Sequence, residues 1–330
     1  MKISRIFIFM ILMVFVLSSF VIAEETITIY TSVPTEIMTD IKDSFEKEHP
    51  NIKLNVFRSG TGTLQAKIST EVETDNLQAD IVWLADFAYY ESLKKQGLLK
   101  KFTPNEADKL LPGFKDKDGY YYAGRVINMI IAYNNNLVKE SESPNSWKDL
   151  SEDKWYNQCV MANPEYSGAA ISAVGAIVSN YGWEYYEELR ENDVDVVKGN
   201  STVANKIASG EYKTGIVLDY MIRGMKAKGS PIELKYPEDG IIAIPSPIGI
   251  MKNTEKSSAC IDFANYILSQ KGQETLVKMG SFIPVRGDVE PPMGAPNATE
   301  LMEQSMDTDW KYIEENLDEI KNKFGDIMLY

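Results

Sequence analysis

"TITIYTSVPTEIMTDIKDSFEKEHPNIKLNVFRSGTGTLQAKIST", residues 26–70, changes its hydrophobic period again and again, and those changes decide the fold. "TITIY" is short and β-branched, which reads as a buried strand. "PTEIMTDIKDSFEKEHP" places apolar residues at 37, 38, 41 and 45, a helical spacing that Pro50 ends. "IKLNVF" is a second strand and "GTLQAKISTEVETD" a second helix. Between these two lie Ser59, Gly60, Thr61 and Gly62, small residues that leave the backbone open to close approach.

Outward from this stretch the alternation continues. "ADIVWLA" reads as a third strand and "FAYYESLKKQG" as a third helix. A βαβαβα pattern implies an α/β fold, a parallel sheet with helices on its faces. "YYYAGRVINMIIAYNNNL" is a long strand-like run able to carry the chain into a second unit. "QCVMANPEYSGAAISAVGAIVSNYG" and "GEYKTGIVLDYMIRGMKAKG" restart the motif there. "PEDGIIAIPSPIGIMKN" reads as a strand crossing back, "SACIDFANYILSQKGQETLVKMG" as an amphipathic helix, and residues 297–328 as helices. Two α/β units joined by a strand out and a strand back imply two lobes with a cleft between them. The expected division is 24–128 with 243–288 for the first lobe and 129–242 with 289–330 for the second. The hinge is expected near "INMIIAY" and "IIAIPSP".

Composition narrows the function. Of 330 residues, 44% are hydrophobic and 25% charged, a globular balance. The net charge of −14 argues against nucleic acid and anionic membrane surfaces as partners. Residues 1–23 carry Lys2 and Arg5, an apolar run and Val21-Ile22-Ala23, the pattern of a cleaved secretory signal peptide. Its removal takes away two positive charges and no acids, so −14 becomes −16. No cysteine near the cut offers a lipid anchor, so a periplasmic location is expected. Cys159 and Cys260 sit in a strand-like and a helix-like stretch and read as two lone thiols.

Four strand-to-helix turns carry small hydroxyl residues: Thr31-Ser32, Ser59 to Gly62, Ser167-Gly168, and Asn200-Ser201-Thr202. A helix start presents unpaired N–H groups and partial positive charge, which suits an anion. In open α/β sheets, ligands sit at the carboxyl ends of strands. The first loop is not a P-loop, because no Lys-Ser/Thr pair follows its glycines, and it lacks the third glycine of the dinucleotide fingerprint. Asp86, Asp219, Tyr220, Glu238 and Asp239 also fall near strand ends. They could take a cation, cap a helix or form hinge salt bridges. Arg125 could pair an anion but reads as a solvated surface residue. His49, the single histidine, lies in a loop that ends a helix. With no second histidine and no G-x-S-x-G elbow, catalysis of the serine-hydrolase kind is not expected.

These stretches, with "QADIVWLADFAYYESLKKQGLL", "GNSTVANKIASGEYKTGIVLDY" and "FANYILSQKGQETL", resemble in order the periplasmic solute-binding proteins of ABC importers, in the ferric-ion-binding-protein-like group. The resemblance runs from about residue 27 to 285. It implies a two-lobed periplasmic-binding-protein fold with a ligand cleft between the lobes and a two-strand hinge. It implies a monomer that binds a small molecule or ion without a cofactor and docks on an inner-membrane permease. Ferric-ion binders in the group use a pair of adjacent tyrosines, often a histidine after the first strand, and a synergistic anion. Here the corresponding positions read Tyr220-Met221 and Thr31-Ser32-Val33. Other members bind phosphorylated sugars or aminophosphonates, which suits the hydroxyl-bearing loops better. The expected ligand is therefore a phosphoryl or phosphonate anion held by Thr31, Ser32, Ser59, Gly60, Thr61, Gly62, Asp86, Ser167, Gly168, Asn200, Ser201, Thr202, Asp219 and Tyr220. The alternative is ferric iron on Tyr220, Asp86, Asp219 and Glu238.

Overall fold

A computed structural model describes residues 24–330; the leader read from the sequence lies outside them. The first unit runs β1 (Glu25–Thr31), α1 (Thr35–Glu48), β2 (Ile52–Arg58), α2 (Thr61–Glu73), β3 (Ile81–Trp83) and α3 (Phe87–Lys95). β1 pairs parallel with β2 and β3. Ile27 and Ile29 of β1 are fully buried, and α1 lays Ile37, Met38, Ile41 and Phe45 into the same core. That spacing is one face of a helix turning every 3.6 residues. The His49 ring ends α1 stacked on Phe45, centroids 4.5 Å apart.

After the two-residue β4 (Leu99–Lys100), the chain enters β5 (Tyr121–Asn134), all of it buried. The second unit holds β6 (Cys159–Ala162), α4 (Gly168–Tyr181), α5 (Glu184–Glu191), β7 (Asp195–Val197), α6 (Asn200–Ala208), β8 (Thr214–Leu218), α7 (Asp219–Ala227) and β9 (Ile232–Lys235). β6 pairs parallel with β7 and β8. β10 (Ile242–Met251) returns antiparallel to β5 along most of its length. One end of the pair meets β3 and the other meets β8, so β5 and β10 link the two lobes. The register slips between Ser246 and Pro247, opposite Ala123 to Arg125. Pro245 and Pro247 lack the N–H a ladder needs, and a bulge is where a strand tolerates them.

Helices α8 (Ser257–Leu268) and α9 (Gln270–Gly280) complete the first lobe, with α9 against α1 and α8 against β1. α10 (Ala298–Glu303), α11 (Trp310–Glu315) and α12 (Leu317–Met328) end the chain. α12 packs on α4 and α5 of the second lobe. α11 touches both lobes: Ile313 fills the space beside Gly175 of α4, while the Trp310 ring packs tilted against Phe87, centroids 5.4 Å apart, and Glu314 pairs with Lys95 at 2.7 Å. The sequence showed these helices but not that one of them straps the lobes together. Both cysteines are buried and free, and no described helix is long and apolar enough to cross a membrane.

Candidate functional site

Four helices begin where strands end on the facing edges of the two lobes, and their starts enclose a cavity of about 320 Å³. α2 starts after Gly60 and α6 after Gly199, and neither has a side-chain cap. Apart from Thr202 N, which donates to Gly199 O at 2.9 Å, their first-turn N–H groups are left to whatever occupies the cavity. α4 starts after Ser167, whose Oγ accepts from Ala170 N at 3.2 Å and from Asn200 Nδ2 at 3.0 Å. The fourth start, α7, contributes Tyr220 and Met221.

Of the residues expected from the sequence, Ser32, Ser59, Gly60, Thr61, Ser167, Asn200, Ser201, Thr202 and Tyr220 line this cavity. Ser32 Oγ accepts from Ala85 N at 3.1 Å, which joins the loops after β1 and β3. Tyr220 is buried against Phe282, ring centroids 4.5 Å apart, and burial raises its phenol above the usual value.

The others take different places, and each correction has a local cause. Thr31 is fully buried, its Oγ1 donating to Trp83 O at 2.9 Å and accepting from Val33 N, so it fastens a turn. Gly62 and Gly168 stand at the seam between the lobes. A Cβ on Gly168 would lie 2.7 Å from Thr61 Cγ2 and 3.0 Å from Asp86 Cβ, and one on Gly62 would run into the Glu165 carbonyl. Asp86 caps α3, accepting from Tyr89 N at 3.2 Å and from Gln65 Nε2 at 2.7 Å. Asp219 accepts from the Asn128 backbone and side chain, at 3.1 and 2.7 Å, and pairs with Arg223 at 2.9 Å. Glu238 is exposed on a loop whose N–H bonds to Asn145 O. The four residues of the iron alternative are thus not brought together, and only Tyr220 reaches the cavity. Among the described residues, no group of three or more His, Cys, Asp or Glu could hold a metal ion.

The cavity also holds residues the sequence reading did not select. Arg58, Lys198 and Tyr166 line it, with Lys198 Nζ 5.4 Å from the Tyr166 ring centroid. Their signal was present: Arg58 directly precedes Ser59, Lys198 directly precedes the Gly199 cap, and Tyr166 directly precedes Ser167. Arg125 is the larger correction. It is 1% exposed, not a surface residue, and it lines the cavity floor. Its guanidinium lies 4.2 Å from the Phe282 ring centroid and 5.7 Å from those of Trp83 and Tyr220. Burial pushes its pKa down to about 10, and its Nη1 has no hydrogen-bond partner. A lone charge inside the apolar run of β5 was the clue. Three cations and no acid line the cavity among the described residues.

Asp86 carries a pH signature of its own. Burial raises its carboxyl from 3.8 to about 6, against the opposing hydrogen bond from Gln65. Between those values the folded chain holds a proton that the unfolded chain has released. The stabilisation is therefore complete below 3.8 and is lost as the pH rises through about 6. A difference of about two pH units corresponds to about 3 kcal/mol at most. Asp86→Asn should remove this slope. Urea unfolding at pH 4.5 and 7.5 should show the wild type losing stability across the interval relative to the variant. Parallel loss in both would mean that Asp86 titrates as an exposed carboxylate does.

Comparison with known proteins places this geometry. A family described as bacterial extracellular solute-binding protein matches residues 78–316. The structure of the periplasmic binding protein AfuA from Actinobacillus pleuropneumoniae, with exogenous fructose-6-phosphate bound, is 24% identical, with a TM-score of 0.84 over 93% of this chain and 99% of that one. Iron-bound HitA from Pseudomonas aeruginosa is 21% identical, with a TM-score of 0.80 over 92% of this chain and 100% of that one. A probable ABC transporter periplasmic-binding protein of Sinorhizobium fredii is 23% identical over 270 residues, 76% of this chain and 72% of that protein.

Proposed function

This chain belongs to the bacterial extracellular solute-binding proteins, and from that premise we propose that it captures a phosphorylated, hydroxyl-bearing small molecule in the periplasm for an ABC importer. The observation that carries the proposal is the charge of the cavity, lined by Arg58, Arg125 and Lys198 and by no acid among the described residues. Around those cations stand the uncapped starts of α2 and α6 and the hydroxyls of Ser59, Thr61, Ser201 and Thr202. Charged donors and helix-start N–H groups together suit a phosphoryl group. An ammonium group finds no carboxylate there, which favours a sugar phosphate over an aminophosphonate. Asn200 Oδ1, buried and without a partner, is left to accept from a ligand hydroxyl. That AfuA was solved with fructose-6-phosphate accords with this reading. Ferric iron, as in HitA, would need anionic oxygens, and among the described residues that line the cavity only the phenols of Tyr166 and Tyr220 could supply them, with no carboxylate beside them.

The lobes proposed are residues 24–128 with 243–288 and residues 129–242 with 289–330, turning about β5 and β10 to enclose the ligand. No bond is made or broken; the closed shape is what the permease docks. The mature chain acts as a monomer, exported by the leader at residues 1–23.

Isothermal titration with fructose 6-phosphate, 2-aminoethylphosphonate, inorganic phosphate and ferric citrate with carbonate tests the ligand class. Saturable heat with the sugar phosphate is expected. Ser59→Ala combined with Thr61→Ala should weaken it, each lost hydrogen bond to a charged group being worth about 1.5–3 kcal/mol. Saturable binding of ferric iron with no response to any phosphoryl compound would overturn the proposal.

A further inference from the structure

We infer that Arg125 is a charge sensor that makes closure of the lobes depend on the arrival of an anion. The inference rests on the anion-binding reading above and extends it from what the site holds to what moves the hinge. Arg125 lies on β5, paired with Ser246 where the register of β10 slips. It therefore sits on the element that both lobes share. With the lobes in contact across Gly62 and Gly168, as they are here, it is buried, and its hydrogen bond to β10 is a long one, Nε to Ser246 Oγ at 3.4 Å. Nη1 has no partner, and no acid lines the cavity among the described residues. The aromatic faces of Phe282, Trp83 and Tyr220 offset part of the missing charge. They do not neutralise it, and Arg58 adds a second cation to the same cavity.

A buried cation with no counter-charge is strongly unfavourable, because water has been removed and nothing ionic replaces it. Closing on water alone would strip the solvent from Nη1 for no return. Closing on an anion exchanges that solvent for a charge-assisted hydrogen bond. The two lobe arrangements thus differ in how well they hold an anion, which is the differential affinity a ligand needs to shift a population. A neutral sugar of the same shape leaves the penalty in place and leaves the lobes apart.

The test uses the mature chain and Arg125→Met, which keeps an unbranched side chain for the three rings and removes the charge. Small-angle scattering gives the radius of gyration without ligand and with 1 mM fructose 6-phosphate or 1 mM fructose, order-of-magnitude concentrations chosen to saturate ordinary affinities. Unliganded wild type should be extended, should compact with fructose 6-phosphate, and should ignore fructose. Unliganded Arg125→Met should already be compact, its closed fraction raised about tenfold or more. An unliganded variant as extended as the wild type would overturn the inference, and so would a wild type compact without ligand. Arg125→Gln is measured alongside, so that a folding failure of one variant leaves the other to decide. The variants are read without ligand, so the result is separable from ligand identity. Compact variants beside a wild type that ignores every phosphoryl compound would sink the ligand class and leave the sensor standing.

Discussion

Gly62→Ala should raise the melting temperature of the unliganded protein and weaken its ligand binding in the same variant. Gly62 lies in the first turn of α2, where alanine is the better helix former by up to about 1 kcal/mol. With the lobes apart, that gain is unopposed. With the lobes together, the new methyl group meets the Glu165 carbonyl, a backbone atom of the second lobe that cannot turn aside. Overpacking of that kind costs about 1–3 kcal/mol, which converts to a loss of about 5- to 150-fold in affinity. Gly62 does not line the cavity, so the loss would come through closure and not through a ligand contact. Thermal melting and isothermal titration on one preparation give both signs. An unchanged dissociation constant would show that the seam between Gly62 and Glu165 is not part of the liganded state.

The second large effect is on stability. Asp219→Ala should destabilise the fold by about 3–5 kcal/mol, the cost of removing one partner from a buried ion pair. Asp219 is fully buried and satisfies four donors: Asn128 N, Asn128 Nδ2, Tyr220 N and Arg223 Nη2. Alanine leaves all four short of an acceptor, although Arg223 keeps Ser281 O and Tyr236 OH. For a chain of this size the melting temperature should fall on the order of 10 °C. Asp219→Asn keeps one acceptor oxygen and should lose less. A normal melting temperature with abolished binding would instead make Asp219 a ligand residue and return weight to the iron alternative. The network also explains a placement the sequence could not decide. An acid at a helix start can face a ligand or its own backbone, and the choice depends on Asn128, ninety-one residues away.

The strand-to-helix turns were legible because their signals are local. Ser59, Ser167 and Asn200 stand where an apolar strand period gives way to a helical one, and a helix start has the same chemistry wherever it occurs. Asp86 and Asp219 were ambiguous for the same reason: an acid there is as good a cap as a ligand. Arg125 was misjudged because a charge is most often solvated, and burial depends on partners far along the chain. Ser246 is 121 residues away from it in sequence.

Strand and helix order, the two-unit organisation, the crossing strands and the helix-start loops thus followed from the sequence alone, since each is set by residues within a turn or two of one another. It took the packed chain to show that Arg58, Arg125 and Lys198 share one cavity with no acid among the described residues, that Gly62 and Gly168 form the lobe seam, and that α11 straps both lobes. Those facts depend on which segments, far apart along the chain, exclude water from the same place, and no local period encodes that.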